Sequence, residues 1–149
     1  MNNLVQNGAD LGATGGAQDW TPLHAAAGYG NVDAVEFLVS HFKVSVDLRD
    51  KFSKTPLHIA AENGELDVLL FLIDRGANIN TTDENGWTAL HMASEEGHIK
   101  CMRLLIRFGA NIEAKTVEDY TPIHIASKEK IDFTLLIFTS ISWNSLIFK

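Results

Sequence analysis

One four-residue word ending in histidine recurs along this chain: TPLH from Thr21, TPLH from Thr55, TALH from Thr88 and TPIH from Thr121. The opening threonines are 34, 33 and 33 residues apart, and the text between the words repeats with them. A period of that length marks a supersecondary unit that cannot bury its apolar face alone, so neighbouring copies must stack into a solenoid. The question is whether His24, His58, His91 and His124 form a functional ladder or a structural one.

Within the third period, DENGWTALHMASEEGHIKCMRLLIRFGANIEAK reads as a polar turn, a short helix, a glycine break, a longer helix and a second break. Thr21, Thr55, Thr88 and Thr121 suit N-caps, whose hydroxyls accept from N–H groups that no preceding turn satisfies. Pro22, Pro56 and Pro122 fall at the first helical position, where a missing N–H costs nothing, and Ala89 substitutes there. Each histidine is the third residue after its cap, the place from which a capping-box side chain reaches back. Ala26, Ala60, Ala61, Ala93 and Ala126 let helices approach closely, while Leu23, Leu57, Leu90 and Ile123 supply apolar burial. Gly30, Gly64 and Gly97 end the first helices. Ile99, Met102, Leu105 and Ile106 carry the helical spacing of the second, matching Leu66, Leu69, Leu72 and Ile73 one unit earlier. Gly76 and Gly109 stand where a left-handed terminal residue is needed.

These residues resemble the ankyrin repeat, a β-turn plus two helices with the word T-P-L-H-x-A and a 33-residue period. RGANINTTDENGWTALH follows the family pattern along its length, and the resemblance covers roughly residues 4–136. It implies an all-α ankyrin-repeat solenoid of stacked helix-turn-helix units. β-turn fingers would project to one side, and a concave surface of fingers and first helices would serve as a protein-binding scaffold, not a catalyst. The chain is expected to start inside a repeat, with a partial leading unit over 1–15. Repeats follow over 16–49, 50–82 and 83–115, then a degenerate fourth over 116–136 and an apolar tail over 137–149. The resemblance also marks Asn80 as a position that an asparaginyl hydroxylase modifies in some ankyrin repeats.

Departures from the pattern carry their own expectations. The run from Leu4 to Thr21 is one residue longer than that from Leu72 to Thr88, and its GATGG predicts a flexible first finger. His41, Phe42 and Lys43 occupy the region of Arg75 and Gly76, so the first junction should be less regular. Lys130 replaces the inter-helix glycine of the fourth unit, and FTLLIFTSISWNSLIF runs uncharged from Phe133 to Phe148. That reverses the polar outer face of a usual terminal repeat. Three readings stay open: a tail folded over the end of the stack, a truncated or alternatively spliced product whose tail invites self-association, and a membrane anchor. Thr134, Thr139, Ser140, Ser142, Asn144 and Ser145 dilute the anchor reading, and the run falls short of about 20 apolar residues.

Nineteen acidic against twelve basic residues give a formal charge of −7, the opposite of the basic footprint that phosphate backbones select, so nucleic acid is not an expected partner. Cys101 is the single cysteine and cannot form an internal disulfide. MNNLVQNGAD lacks a charged n-region with a following apolar core, and a reducing compartment, cytoplasmic or nuclear, is the expectation. Helices pack about 8–10 Å apart whereas zinc needs its ligands at about 2.0–2.1 Å, so the histidines cannot share one ion. His41 and His98 have no second ligand at i,i+4. No metal, no cofactor and no enzymatic activity are expected, since no G-x-S-x-G or phosphate loop is present and Cys101 with a nearby histidine is only a nominal Cys/His pair. Cys101 aligns with Ala34 and Val68, which predicts a small, partly buried side chain.

By resemblance, the variable binding positions are the two residues before the inter-helix glycine and the finger residues before the threonine. The former are Gly28 and Tyr29, Glu62 and Asn63, Glu95 and Glu96, then Lys128 and Glu129. The latter are Trp20, Lys54, Trp87 and Tyr120, with Asp19, Ser53, Glu84, Asn85 and Asp119 near the finger tips. A solvated helix face is commonly acidic, and a large residue before the threonine can pack along the finger. For the strip as a whole the binding reading is preferred, because aromatic residues flanked by carboxylates anchor partners well. The expected function is a non-catalytic scaffold binding a basic or amphipathic segment of another protein. The alternative is an ankyrin fragment of a larger multidomain signalling or enzyme protein.

Overall fold

The computed structural model describes residues 13–129. Its helices are α1 (Pro22–Gly28), α2 (Val32–Glu36), α3 (Pro56–Asn63), α4 (Leu66–Asp74), α5 (Ala89–Glu96), α6 (Ile99–Arg107) and α7 (Pro122–Glu129), with a π turn over Phe37–His41 continuing α2. Four first helices alternate with three second helices, the all-α arrangement that the period predicts. The first helices α1, α3, α5 and α7 pack in one row, and α2, α4 and α6 pack in a second. Leu23, Leu57, Leu90, Leu72 and Leu105 are fully buried between the rows, and Ala27, Ala60, Ala61 and Ala93 let the first helices close up without a gap.

Local chemistry sets the element ends. Thr21, Thr55 and Thr88 are extended caps, each followed by a helix that starts at the next residue. Gly64 and Gly97 adopt left-handed φ of 75° and 72°, which turns the chain at once into the second helix. A side chain on Gly64 would come within 2.7 Å of the His98 ring, so glycine is required there for space as well as for φ. The second helices end with Ala77 N–H donating to Leu72 C=O and Ala110 N–H to Leu105 C=O.

The first junction is irregular, as expected, and the cause is one inserted residue. Leu38, Leu72 and Leu105 are each 17 residues past their caps, but the closing bond runs from Val44 N–H to Leu38 C=O, one residue wider than its counterparts. The π turn absorbs the excess, and Lys43 takes the left-handed φ of 57° that Gly76 and Gly109 take elsewhere. The rings of Phe37, His41 and Phe42 pack against one another over the bulge at 4.9–5.2 Å. The leading partial unit before residue 13, the second half of the fourth unit and the apolar tail lie outside the described residues.

The histidines prove to be bridges. Each Nδ1 accepts from the N–H of its own cap threonine, at 3.3 Å for His24 and 3.1 Å for His58, His91 and His124. The proton must therefore sit on Nε2, which donates at 3.0 Å into the next unit: His24 to Lys54 C=O, His58 to Trp87 C=O and His91 to Tyr120 C=O. The cap bond was legible in the sequence; the bond across units was not. Burial lowers the pKa of His24, His58 and His91 from the ordinary 6.5, and their carbonyl bonds with the charges of Asp50 or Asp83 only partly oppose it.

Replacing His58 by alanine leaves the buried Thr55 N–H without its acceptor and removes one of the two donors to Trp87 C=O, so it should cost about 2 kcal/mol in urea unfolding. His124→Ala, at an exposed site bonded to its own cap, should cost about 1 kcal/mol. Acid should weaken the stack with a defined sign. The three histidines refuse protons that the unfolded chain accepts, so stability is full above pH 6.5 and falls as pH drops through that value, levelling off below the folded-state pKa. The steepest slope expected is about 1.4 kcal/mol per pH unit for each histidine, read from urea midpoints between about pH 8 and 5.

Candidate functional site

Each finger is a tight turn tied by one side chain. Asp50 Oδ1 accepts from the N–H of Phe52 and Lys54, and its own N–H donates to Lys54 C=O. Asp83 does the same for Asn85 and Trp87, and Thr116 Oγ1 for Glu118 and Tyr120. The residue before the last position takes a positive φ, at Asp19, Ser53, Gly86 and Asp119. Adjacent fingers pair by backbone bonds, Lys51 N–H to Gln18 C=O, Glu84 N–H to Phe52 C=O and Val117 N–H to Asn85 C=O. Gly86 is needed for the last of these, because a Cβ there would meet Val117 N at 3.1 Å and Thr116 Cα at 3.2 Å. The first finger closes instead through the paired Gly15 and Trp20 backbones, with its extra residue held inside a wider turn.

This construction fixes the residue that precedes each cap. Trp87 is held by its N–H to Asp83, and by its C=O from both Asp83 N–H at 2.9 Å and the His58 ring at 3.0 Å. Lys54 and Tyr120 are pinned likewise by Asp50 with His24 and by Thr116 with His91. Between these fingers and the first helices lies an open groove of ≈ 410 Å³, lined by Lys54, Glu62, Asp83, Asn85, Trp87, Met92, Glu95, Val117 and Glu118. Four carboxylates face one ammonium there. Lys54 Nζ is 2.8 Å from Glu62 Oε2, the Asp83 carboxylate is committed to its turn, and Glu95 and Glu118 add their carboxylates to the groove wall. Trp87, Met92 and Val117 supply the apolar part.

Of the residues singled out in the sequence, the groove gathers Lys54, Glu62, Asn85, Trp87 and Glu95. Glu96 and Lys128 are exposed beside it, Tyr120 is 41% exposed, and Glu84 is exposed on its finger. Asn63 bonds Ile59 C=O in its own helix. Tyr29 is 84% exposed at the far end of the strip. Trp20 packs instead of opening a groove: its indole lies against Gly28, whose missing side chain leaves the space that Glu62 and Glu95 fill in later units, and its buried Nε1 makes no hydrogen bond. The Glu129 side chain lies outside the described residues. Asp83, Met92, Val117 and Glu118 line the groove without having been singled out. Val117 and Glu118 could have been found, since they stand 33 residues after Glu84 and Asn85.

The remaining chemistry is spent on structure. Both ring nitrogens of His24, His58 and His91 are engaged within the stack, and His98 Nε2 donates to Glu62 C=O, which closes the end of α3. Burial, with the Glu65 charge, pushes the Cys101 thiol up to about 11, far from a reactive thiolate. Asn80 bridges units through Asn111 N–H at 2.8 Å and Gly109 C=O at 3.3 Å. Among the described residues no helix is long and apolar enough to cross a membrane.

A search of curated proteins finds no match. A family model for ankyrin repeats (3 copies) matches residues 1–83 and 71–144. Domains of this kind are in general non-catalytic protein–protein interaction modules. The finger turns, the paired helices and the matched span together make this chain a member of the ankyrin-repeat family.

Proposed function

We propose that the chain is a non-catalytic interaction scaffold whose groove between the fingers and the first helices holds a basic or amphipathic segment of a partner protein. The groove over the second and third units carries this reading: Trp87 stands on a backbone pinned at three bonds, with Met92 and Val117 beside it and Glu95 and Glu118 at its edges. An aromatic anchor ringed by carboxylates suits a partner that presents an apolar residue next to arginine or lysine. Trp87 packs one part of its ring against the core beside His91 and leaves the rest half-buried at the groove, and the Glu118 side chain is exposed, so both can meet a partner. The scaffold would act in the cytoplasm or nucleus, without nucleic acid, cofactor or metal. Activity supplied by other domains of a larger signalling or enzyme protein is the second reading, and this groove would serve it equally as a docking element.

The test is affinity capture from source-cell extract with quantitative mass spectrometry, comparing wild type with Trp87→Ala/Glu95→Lys/Glu118→Lys. The true partner should be depleted at least about 30-fold by the variant, the scale of a lost hot spot. Partners retained in full would move the interface away from the groove. Lys54→Ala should act in the opposite direction: it releases Glu62 from its ion pair and should tighten binding of the basic segment, more at low salt than at high salt, when measured by titration calorimetry.

A further inference from the structure

We propose that the outer helix row is a self-complementary surface through which two copies of this chain pair, α4 of one against α6 of the other. This surface belongs to the other helix row from the groove and does not rest on the groove's function. Asp67 and Asp74 are exposed on α4, seven residues apart. Lys100 and Arg107, at the equivalent positions of α6, are exposed with the same spacing. At 1.5 Å per residue each pair spans about 10 Å of its helix, so the two charge patterns match in length and oppose in sign.

Among the described residues these charges form no ion pair. Among the described residues the ion pairs are Lys54 with Glu62 and Lys115 with Asp119. The arginines outside α6 are tied down: Arg49 donates to Ser53 and Thr82 carbonyls, and Arg75 donates to Ser40 Oγ while lying over the Phe71 ring. The α6 cations have no such anchor and are held out to solvent, in a chain whose formal charge is −7.

α4 and α6 are neighbours in one row and run in the same direction. A two-fold axis between them and parallel to both lays α4 on α6 of the second copy in the same direction, with Asp67 opposite Lys100, Asp74 opposite Arg107, and both pairs repeated across the axis. Leu70, 39% exposed at the centre of α4, then lies against the aliphatic stem of Arg103, the exposed residue at the same place on the facing helix, whose guanidinium reaches out toward water. Helices of nine residues cover less than the roughly 1,200 Å² of a stable interface, so the pair is weak and sensitive to salt.

Sedimentation velocity of the full chain tests this. At about 100 µM a dimer should form in about 50 mM salt and weaken at least tenfold, roughly, in about 500 mM salt. The variants Lys100→Glu/Arg107→Glu and Asp67→Lys/Asp74→Lys should each lose self-association by at least about 100-fold while keeping the helical circular dichroism of the wild type. An equimolar mixture of the two should regain the dimer, because each reversed face then meets its opposite. A monomeric wild type at low salt, or a mixture that stays monomeric, overturns the proposal. So does a dimer that strengthens with salt and survives both reversals, which is the behaviour of apolar contact through the run from Phe133 to Phe148.

Discussion

The hydrogen bonds from Nε2 of His24, His58 and His91 to a carbonyl of the following unit hold the described stack in register. Each joins two things that a solenoid must keep apart in sequence, the start of one helix pair and the finger of the next. The same imidazole satisfies the N–H of its own cap, so a single neutral side chain closes a helix end and locks two units together. Neutrality is essential, since Nδ1 must accept while Nε2 donates, and burial enforces it by disfavouring the imidazolium. The carbonyl it receives belongs to the residue just before the next threonine, which is Lys54, Trp87 or Tyr120. The repeated word therefore positions the unrepeated residue.

That division explains how much could be seen in the sequence alone. Caps, prolines, glycine turns and the apolar spacing of the second helices are local, each decided by residues within about a turn of itself, and they fold as their chemistry predicts. The far end of the histidine bridge was hidden because its acceptor is a backbone oxygen 29 or 30 residues away, an atom with no signature in the sequence. The extra residue near His41 was visible as a length, but its fate as a π turn depends on Leu38 and Val44 keeping their packed positions on either side. A repeat that can neither slide nor shorten stores the surplus within the helix.

The candidate site was legible where a side chain rises from its own helix or finger base, as at Glu62, Glu95, Lys54 and Trp87. It was hidden where a finger tip leans across to the preceding unit. Val117 and Glu118 enter the groove because their finger hydrogen-bonds to Asn85, a contact set by finger stacking and by the space at Gly86. Trp20 is the converse. It has the position and the chemistry of an anchor, but Gly28 leaves a void beside it that the indole occupies, so the groove begins one unit later than the pattern of words suggests.

Separating folding from recognition has an energetic consequence. The residues that carry the stack, Leu23, Leu57, Leu90 and the bridging histidines, are fully buried, and substitutions among them cost stability directly. Glu95, Glu118 and Val117 are exposed, and exposed positions usually tolerate exchange within about 0.5 kcal/mol. Binding chemistry can therefore vary unit by unit over a constant frame. Because the finger backbones are already fixed by Asp50, Asp83 and Thr116, a partner docking on them orders side chains alone and loses less of its interaction energy to entropy. A shallow, water-open groove can then suffice for recognition without a deep pocket, provided that the frame beneath it stays neutral at its histidines.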